Sequence, residues 1–124
     1  MARGALPALT GLDAADAPEV WRALGFTVAA DGTCAVGDVT LTLRGSQAGE
    51  GMLGWSLVAN GPVPDAIDGI PTRPGAPAAA VAHPNGARRR DHVVVRTPDL
   101  ARTLGALQAA GLEVRRTLGA GPDL

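Results

Sequence analysis

The stretch RRRDHVVVRTPDLARTLGALQAAGLEVRRT, residues 88–117, carries the strongest fold signals in the chain. Its run of valines predicts a strand over 91–96. Thr97 then has the residue type of a helix N-cap. Pro98 suits the first helical position because its missing N–H would have no partner in the first turn. A strand that leads directly into a capped helix indicates an α/β unit.

The helix of this unit is marked by leucines at positions 100, 104 and 107. Their four-then-three spacing places them on one helical face, and Gly111 is a typical helix stop, so the sequence predicts a helix over 98–110. The letters LEV then begin another strand, expected over 112–116. Because the sequence ends soon afterwards, we expect a second module that is truncated after strand, helix and strand.

The segment LTGLDAADAPEVWRALGFTV, residues 9–28, repeats the same order. An apolar run comes first, and Asp16 with Glu19 three positions later is typical of a helix start, which predicts a helix over 15–24. Gly25 is the expected stop. The likeness of RALGFTV to QAAGLEV indicates an internal repeat.

Only the earlier copy of the repeat is followed by further strands. The dipeptide Gly37-Asp38 predicts a two-residue turn between short strands. In VTLTL, residues 39–43, alternation buries the aliphatic side chains and leaves Thr40 and Thr42 on the opposite face. The run MLGWSLVA adds a last strand, on which Ser56 is a polar position.

These patterns predict an α+β fold built from tandem βαβββ modules, the second truncated after βαβ. We expect a first module over 1–60, a linker rich in Pro and Gly over 61–90, and a partial second module over 91–124, all within a single compact domain.

The phrases HPNGA, DHVVVRTPDL and AAGLEV, in this order and in a repeated βαβββ frame, resemble the vicinal oxygen chelate superfamily. Within it, the chain is similar to glyoxalase-like proteins related to glyoxalase I, extradiol dioxygenases and bleomycin-resistance proteins. The resemblance extends from about Leu6 to Thr117. It implies a curved sheet around a cavity, but no particular activity, because the superfamily contains lyases, oxygenases, isomerases and binding proteins.

The resemblance also implies where a metal would be bound. Metal-binding members carry a His or Gln on the first strand of each module and a Glu on a late strand, and His92 stands at the second of these first-strand positions. The strand near ALTGLD offers no His or Gln, and MLGWSLVA has no carboxylate. One imidazole is too few ligands for a divalent ion, so we expect no metal and no cofactor.

Four residues are the candidate ligand-binding side chains: His92, Arg96, Thr42 and Ser56. Alternation along the predicted strand puts His92 and Arg96 on the cavity side if Val93 and Val95 meet the helix. For His92, the alternative is a strand-start histidine hydrogen-bonded to a neighbour, and the two polar strand positions could equally well meet water.

Two other polar segments, around His83 and at Arg88–Arg90, also have more than one interpretation. His83 is expected to be a solvated loop residue. The basic run Arg88–Arg90 could attract an anionic ligand, although such a run more often keeps a strand edge soluble.

Three functions remain open. A non-catalytic glyoxalase-like domain is favoured by the incomplete ligand set. A small-molecule binding protein of the drug-sequestration type needs a cavity but no metal. A metal-dependent lyase or dioxygenase would need ligands from another subunit.

The composition of the chain limits the classes of partner that it could bind. Residues 1–87 contain four Arg and eight acids, whereas 88–116 contain seven Arg and three acids, but the basic residues are scattered and only one Phe and two Trp are available for stacking on bases. We therefore expect no nucleic-acid partner and no membrane partner, and we expect a cytoplasmic location. Cys34 is expected to be a small apolar residue of a strand. Unpaired strand edges favour a homodimer that covers them.

Overall fold

The computed structural model describes residues 7–90, 93–112, 114 and 117, and its core is one six-stranded mixed sheet. The strands are β1 (Ala8–Ala14), β2 (Thr33–Val36), β3 (Val39–Leu43), β4 (Met52–Val58), β5 (Ala66–Ile67) and β6 (Ile70–Pro74). They lie side by side in the order β2-β3-β1-β4-β6-β5. The helices are α1 (Pro18–Ala23) and α2 (Leu100–Ala109).

The elements of residues 8–58 follow one another in the predicted order. Strand, helix and three strands follow one another over residues 8–58, and β1 lies between β3, to which it is parallel, and β4, to which it is antiparallel. The Gly37-Asp38 turn joins β2 and β3 with Val36 opposite Val39. The α+β class is therefore confirmed, whereas the tandem arrangement of two glyoxalase-type modules stays a prediction.

The two faces of the sheet differ in polarity because side chains alternate along each strand. One face, which we call the apolar face, carries the hydrophobic core. Leu12 of β1 lies in register with Leu41 of β3 on one side and Trp55 of β4 on the other. Cys34 and Leu57 are also fully enclosed in this core. The opposite face, which we call the polar face, carries Thr40 and Thr42 as the alternation predicted.

The first helix is shorter than expected, and its start was wrongly assigned. Ala17 is the N-cap, with no side-chain cap, and Pro18 begins the helix. Asp16 instead accepts a hydrogen bond from the indole N–H of Trp21 at 3.0 Å. The carboxylate thus fixes the Trp21 ring, which is partly buried against the core.

The stretch expected as a linker contains two further strands. Ile67 lies opposite Ile70 across the two-residue Asp68-Gly69 turn, and β6 pairs in parallel with β4. Both turn residues have positive φ, 49° at Asp68 and 80° at Gly69. Such a turn matches the right-handed twist of a hairpin, so the Asp-Gly dipeptide between two isoleucines explains the extra strands.

The described part of the second predicted strand, residues 93–96, is not part of the sheet. Residues 93–97 have no strand pairing, and positions 91 and 92 lie outside the described residues. Val93 and Val95 still pack against the core, whereas Val94 is 72% exposed. The predicted alternation therefore holds in a segment that crosses the apolar face instead of extending the sheet. The strand expected over 112–116 falls largely outside the described residues.

The second helix is confirmed, but its cap is Asp99 and not Thr97. The Asp99 carboxylate accepts a hydrogen bond from the backbone N–H of Arg102 at 3.1 Å, and the Thr97 hydroxyl accepts one from the Asp99 N–H. From the hairpin turn, Asp68 accepts hydrogen bonds from Arg102 Nε and from the Thr103 hydroxyl. This Asp68 latch, formed by Asp68, Arg102 and Thr103, holds α2 against the β5–β6 turn. Among the described residues, neither helix is long and apolar enough to cross a membrane.

His83 is buried, and its expected role as a solvated loop residue is wrong. Its Nδ1 accepts a hydrogen bond from the Thr27 N–H at 2.9 Å, and its Nε2 donates one to the Ala35 carbonyl at 2.6 Å. Ala35 belongs to the edge strand β2. The imidazole therefore satisfies two backbone groups that no strand partner reaches, and it joins residues 27 and 35 to the segment that follows β6.

Replacement of His83 by alanine should reduce the free energy of unfolding by about 1–2 kcal/mol, because it leaves two backbone groups without their partner. Urea denaturation of the purified chain measures the change. Val81→Ala is the matched control, since Val81 lies in the same segment and is 41% exposed. Equal losses for the two variants would show that the imidazole bonds contribute nothing specific.

Candidate functional site

An apolar cavity of about 360 Å³ lies on the apolar face of the sheet, where it is also bordered by Ala87, Arg89, Arg90, Val93 and Val94. Its floor includes Leu12, Val39 and Leu41, one from each of three neighbouring strands. A volume of this size falls within the range of about 300–1,000 Å³ that is usual for small-molecule sites. All the described lining side chains are apolar except those of Arg89 and Arg90.

One wall of the cavity is aromatic. The Trp21 and Phe26 rings both line it, with their centroids 4.8 Å apart and their planes tilted by 50°. The Phe26 ring in turn meets the His83 ring edge to face at 5.4 Å. Asp16 thus orients the indole, and two backbone groups orient the imidazole that packs against the Phe26 ring.

A smaller cavity of about 180 Å³ adjoins the first. The two share the lining residues Leu12, Met52, Val93 and Val94, and the smaller one is bordered by Trp55. Together they form a groove along the apolar face, which we call the apolar groove. The two tryptophans of the chain therefore lie at different points of the same groove.

Three of the predicted ligand-binding residues, Thr42, Ser56 and Arg96, are not among the described residues that line this groove. Thr42 is half-buried on the polar face, where it lies in register with Asp13. Ser56 is buried, and its position opposite Gly11 puts it on that same face. Arg96 is exposed in the segment that crosses the other side of the sheet, and His92 lies outside the described residues. The structure thus brings Thr42 and Ser56 to one face and leaves Arg96 apart from them.

The Ser56 hydroxyl is enclosed by the protein. It shares a hydrogen bond of 2.9 Å with the Thr10 hydroxyl. A Cβ atom at Gly11 would lie 2.4 Å from Ser56 Oγ, and one at Gly75 would lie 2.8 Å from it. Both positions therefore need glycine, and the hydroxyl they enclose has a structural partner.

Asp13, which was not among the predicted site residues, is an ion-paired carboxylate on the polar face. Arg73 of β6 makes two hydrogen bonds to its carboxylate, and Arg44 Nη2 lies 3.5 Å from Oδ1. The hydrogen bonds from Arg73 hold the pKa of the Asp13 carboxyl below its ordinary value and outweigh the opposing effect of burial. The aspartate within the apolar strand ALTGLDA was the only sequence signal for this pair.

Neither face brings together a set of metal ligands within the described ranges 7–90 and 93–112. No group of three or more His, Cys, Asp or Glu side chains lies close enough there to hold an ion. Cys34 is completely buried, and its burial raises the pKa of the thiol. His83 already uses both ring nitrogens.

No protein-family model matches the chain, and the comparisons with curated proteins and with solved structures found no match either.

Proposed function

We propose that this chain is a non-catalytic, glyoxalase-like domain that binds a small apolar molecule in the apolar groove. The observation that carries the proposal is the cavity of about 360 Å³ with an aliphatic floor and an aromatic wall. Burial of apolar ligand surface there would contribute roughly 25 cal/mol per Å² of area removed from water, before the cost of association.

The state of the reactive side chains supports a binding role. Asp13 is ion-paired, and its lowered pKa makes it a weak proton acceptor. The Cys34 thiol is enclosed and its raised pKa disfavours the nucleophilic thiolate. His83 is fully hydrogen-bonded to backbone. Each group stabilises the fold, and none of them lines the apolar groove.

Residues 8–58 supply the support for the glyoxalase-like part of the proposal, since they run in the βαβββ order that the resemblance implies. The cytoplasmic location remains an expectation of the sequence. A metal-dependent activity completed by another subunit is the competing proposal. Elemental analysis of the purified chain that found about one tightly held metal per chain, lost in a His92→Ala variant, would favour that alternative.

Tryptophan fluorescence tests the proposed binding directly, because Trp21 and Trp55 both border the apolar groove. Addition of 1-decanol at micromolar concentrations should change the emission in a saturable way and raise the melting temperature. Unchanged emission and melting temperature across the solubility range of decanol would contradict the proposal.

A cavity-filling pair of variants sharpens this test. Ala87 lines the cavity and packs against the core, whereas Ala80 is exposed in the same segment. Ala87→Phe should weaken decanol binding at least about tenfold, which corresponds to about 1.4 kcal/mol, while Ala80→Phe should leave it nearly unchanged. Equal affinity in both variants would locate the binding elsewhere.

A homodimer remains part of the proposal. Val20 and Leu24, on and just after α1, are 55% and 62% exposed, and no residue of α1 is fully buried. These side chains give a second copy an apolar surface to cover. Light scattering over a hundredfold range of concentration should show a mass that doubles, and a constant monomer mass would exclude it.

A further inference from the structure

We propose that the apolar groove takes an amphipathic monoanion, an elongated apolar molecule with one carboxylate at its end, and that Arg89 and Arg90 bind the carboxylate. The inference rests on the proposed function and specifies the ligand class. It is carried by the two cationic residues, Arg89 and Arg90, that border the larger cavity beside its apolar lining.

The two arginines differ from the rest of the lining in what they offer a ligand. A guanidinium stays charged at any pH the protein survives and presents five N–H donors in a plane that matches a carboxylate. A neutral ligand would use only the aliphatic floor and aromatic wall. A ligand with a terminal carboxylate would use those surfaces and the guanidinium donors together.

The basic segment is held in place by the β2–β3 turn. A Cβ atom at Gly37 would lie 2.9 Å from the Arg88 carbonyl oxygen and 3.2 Å from Arg89 Cα. Gly37 has a φ of 62°, which a glycine adopts without strain. The absence of a side chain at Gly37 thus lets the backbone of Arg88 and Arg89 pack directly on the turn, and this contact holds Arg89 beside the cavity.

The apolar parts of the site set the shape of the ligand. The larger cavity shares Leu12 and Met52 with the smaller one, which Trp55 borders. A ligand that occupied both cavities would therefore be elongated. An alkyl chain lying along the apolar groove would pass from Arg89 and Arg90, beside Trp21 and Phe26, toward Trp55. A medium-chain fatty acid has this shape and charge.

The test compares three probes with the same ten-carbon chain: decanoate, 1-decanol and decylammonium, at pH 7.5 and below their micelle concentrations. We expect tryptophan fluorescence titrations to give decanoate an affinity at least about tenfold higher than decanol, with decylammonium the weakest. High salt should lower the affinity for decanoate and leave the affinity for decanol unchanged.

Variants test whether Arg89 and Arg90 cause the preference for decanoate over decanol. The double variant Arg89→Gln/Arg90→Gln should bind decanoate no better than decanol and keep the affinity for decanol. Arg88→Gln is the matched control, because Arg88 belongs to the same basic run and its side chain is not part of the described lining. It should leave all three affinities within about twofold of the wild type.

The outcomes separate the two proposals. If decanol binds as tightly as decanoate, or if the double variant keeps the preference for decanoate, the assignment of the arginines is wrong while the binding function stands. If none of the three probes binds, the proposed function fails and the ligand class fails with it.

Discussion

Substitution of Leu57 by alanine is expected to lower the free energy of unfolding by about 2–5 kcal/mol, the largest effect of any single change considered. Leu57 is 2% exposed and lies on β4, which pairs with β1 on one side and β6 on the other. Removal of its side chain leaves a cavity where three strands meet. For a domain of this size, such a loss is a large part of the total stability.

Met52→Ala is the control for this prediction, because Met52 lies on the same strand and is 53% exposed. It should change the free energy of unfolding by no more than about 0.5 kcal/mol. Urea denaturation followed by far-ultraviolet circular dichroism gives both values, and similar slopes with different midpoints would attribute the difference to the folded state. A Leu57 variant as stable as the Met52 variant would contradict the assignment of β4 to the centre of the core.

Neutralisation of Asp13 should have the second-largest effect, a loss of about 2–3 kcal/mol at pH 7 in Asp13→Asn, because Arg73 loses its charge-assisted hydrogen bonds. This loss in the free energy of unfolding is moderate because both arginine partners are about half exposed, so water can hydrate them in the variant. Glu50→Gln is the control, as Glu50 is an exposed carboxylate.

The same carboxylate makes stability depend on pH. Arg73 lowers the pKa of Asp13 in the folded chain below the ordinary value of 3.8. The contribution is therefore fully present above pH 5 and is lost as the pH falls through 3.8 toward the folded value. Arg102 lowers the pKa of Asp68 in the same direction, so Asp13→Asn should reduce the acid sensitivity without abolishing it. A variant with an unchanged pH profile would contradict the role of this pair.

Local signals explain the parts of the fold that the sequence predicted correctly. Alternation in VTLTL, the Gly37-Asp38 turn and the leucine spacing of α2 act over a few residues, and each produced the expected element. The Asp68-Gly69 dipeptide between two isoleucines is an equally local hairpin signal. It was missed because the surrounding Pro and Gly content indicated a linker.

Long-range contacts explain the parts that could not be predicted. Nothing near His83 in sequence shows that Thr27 and Ala35 need its ring nitrogens. The valines at 93–95 have the composition of a strand, yet they pack across the core instead of pairing. Their local preference does not determine whether a sheet edge is available to them.

The position of the candidate site could not be predicted from local sequence signals either. Alternation correctly put Thr42 and Ser56 on one face, but it gives no information about which face keeps an open cavity. That depends on residues from distant parts of the chain that border the cavity, among them Trp21, Ala87 and Val93. The sequence shows Arg89 and Arg90 as part of a basic run. Only the structure shows that these two residues border a cavity.

The Asp68 latch has a kinetic consequence for a bound molecule. Residues 93–99 lead directly from the groove into α2, and the latch ties that helix to the hairpin through an exposed arginine. Sub-global opening of α2 should therefore be more frequent than global unfolding, and each opening would loosen the strip of chain that covers the groove. The residence time of a ligand in the apolar groove would then depend on the lifetime of this latch. Two ligands of unequal affinity would dissociate at similar rates whenever the opening of α2 is the slow step.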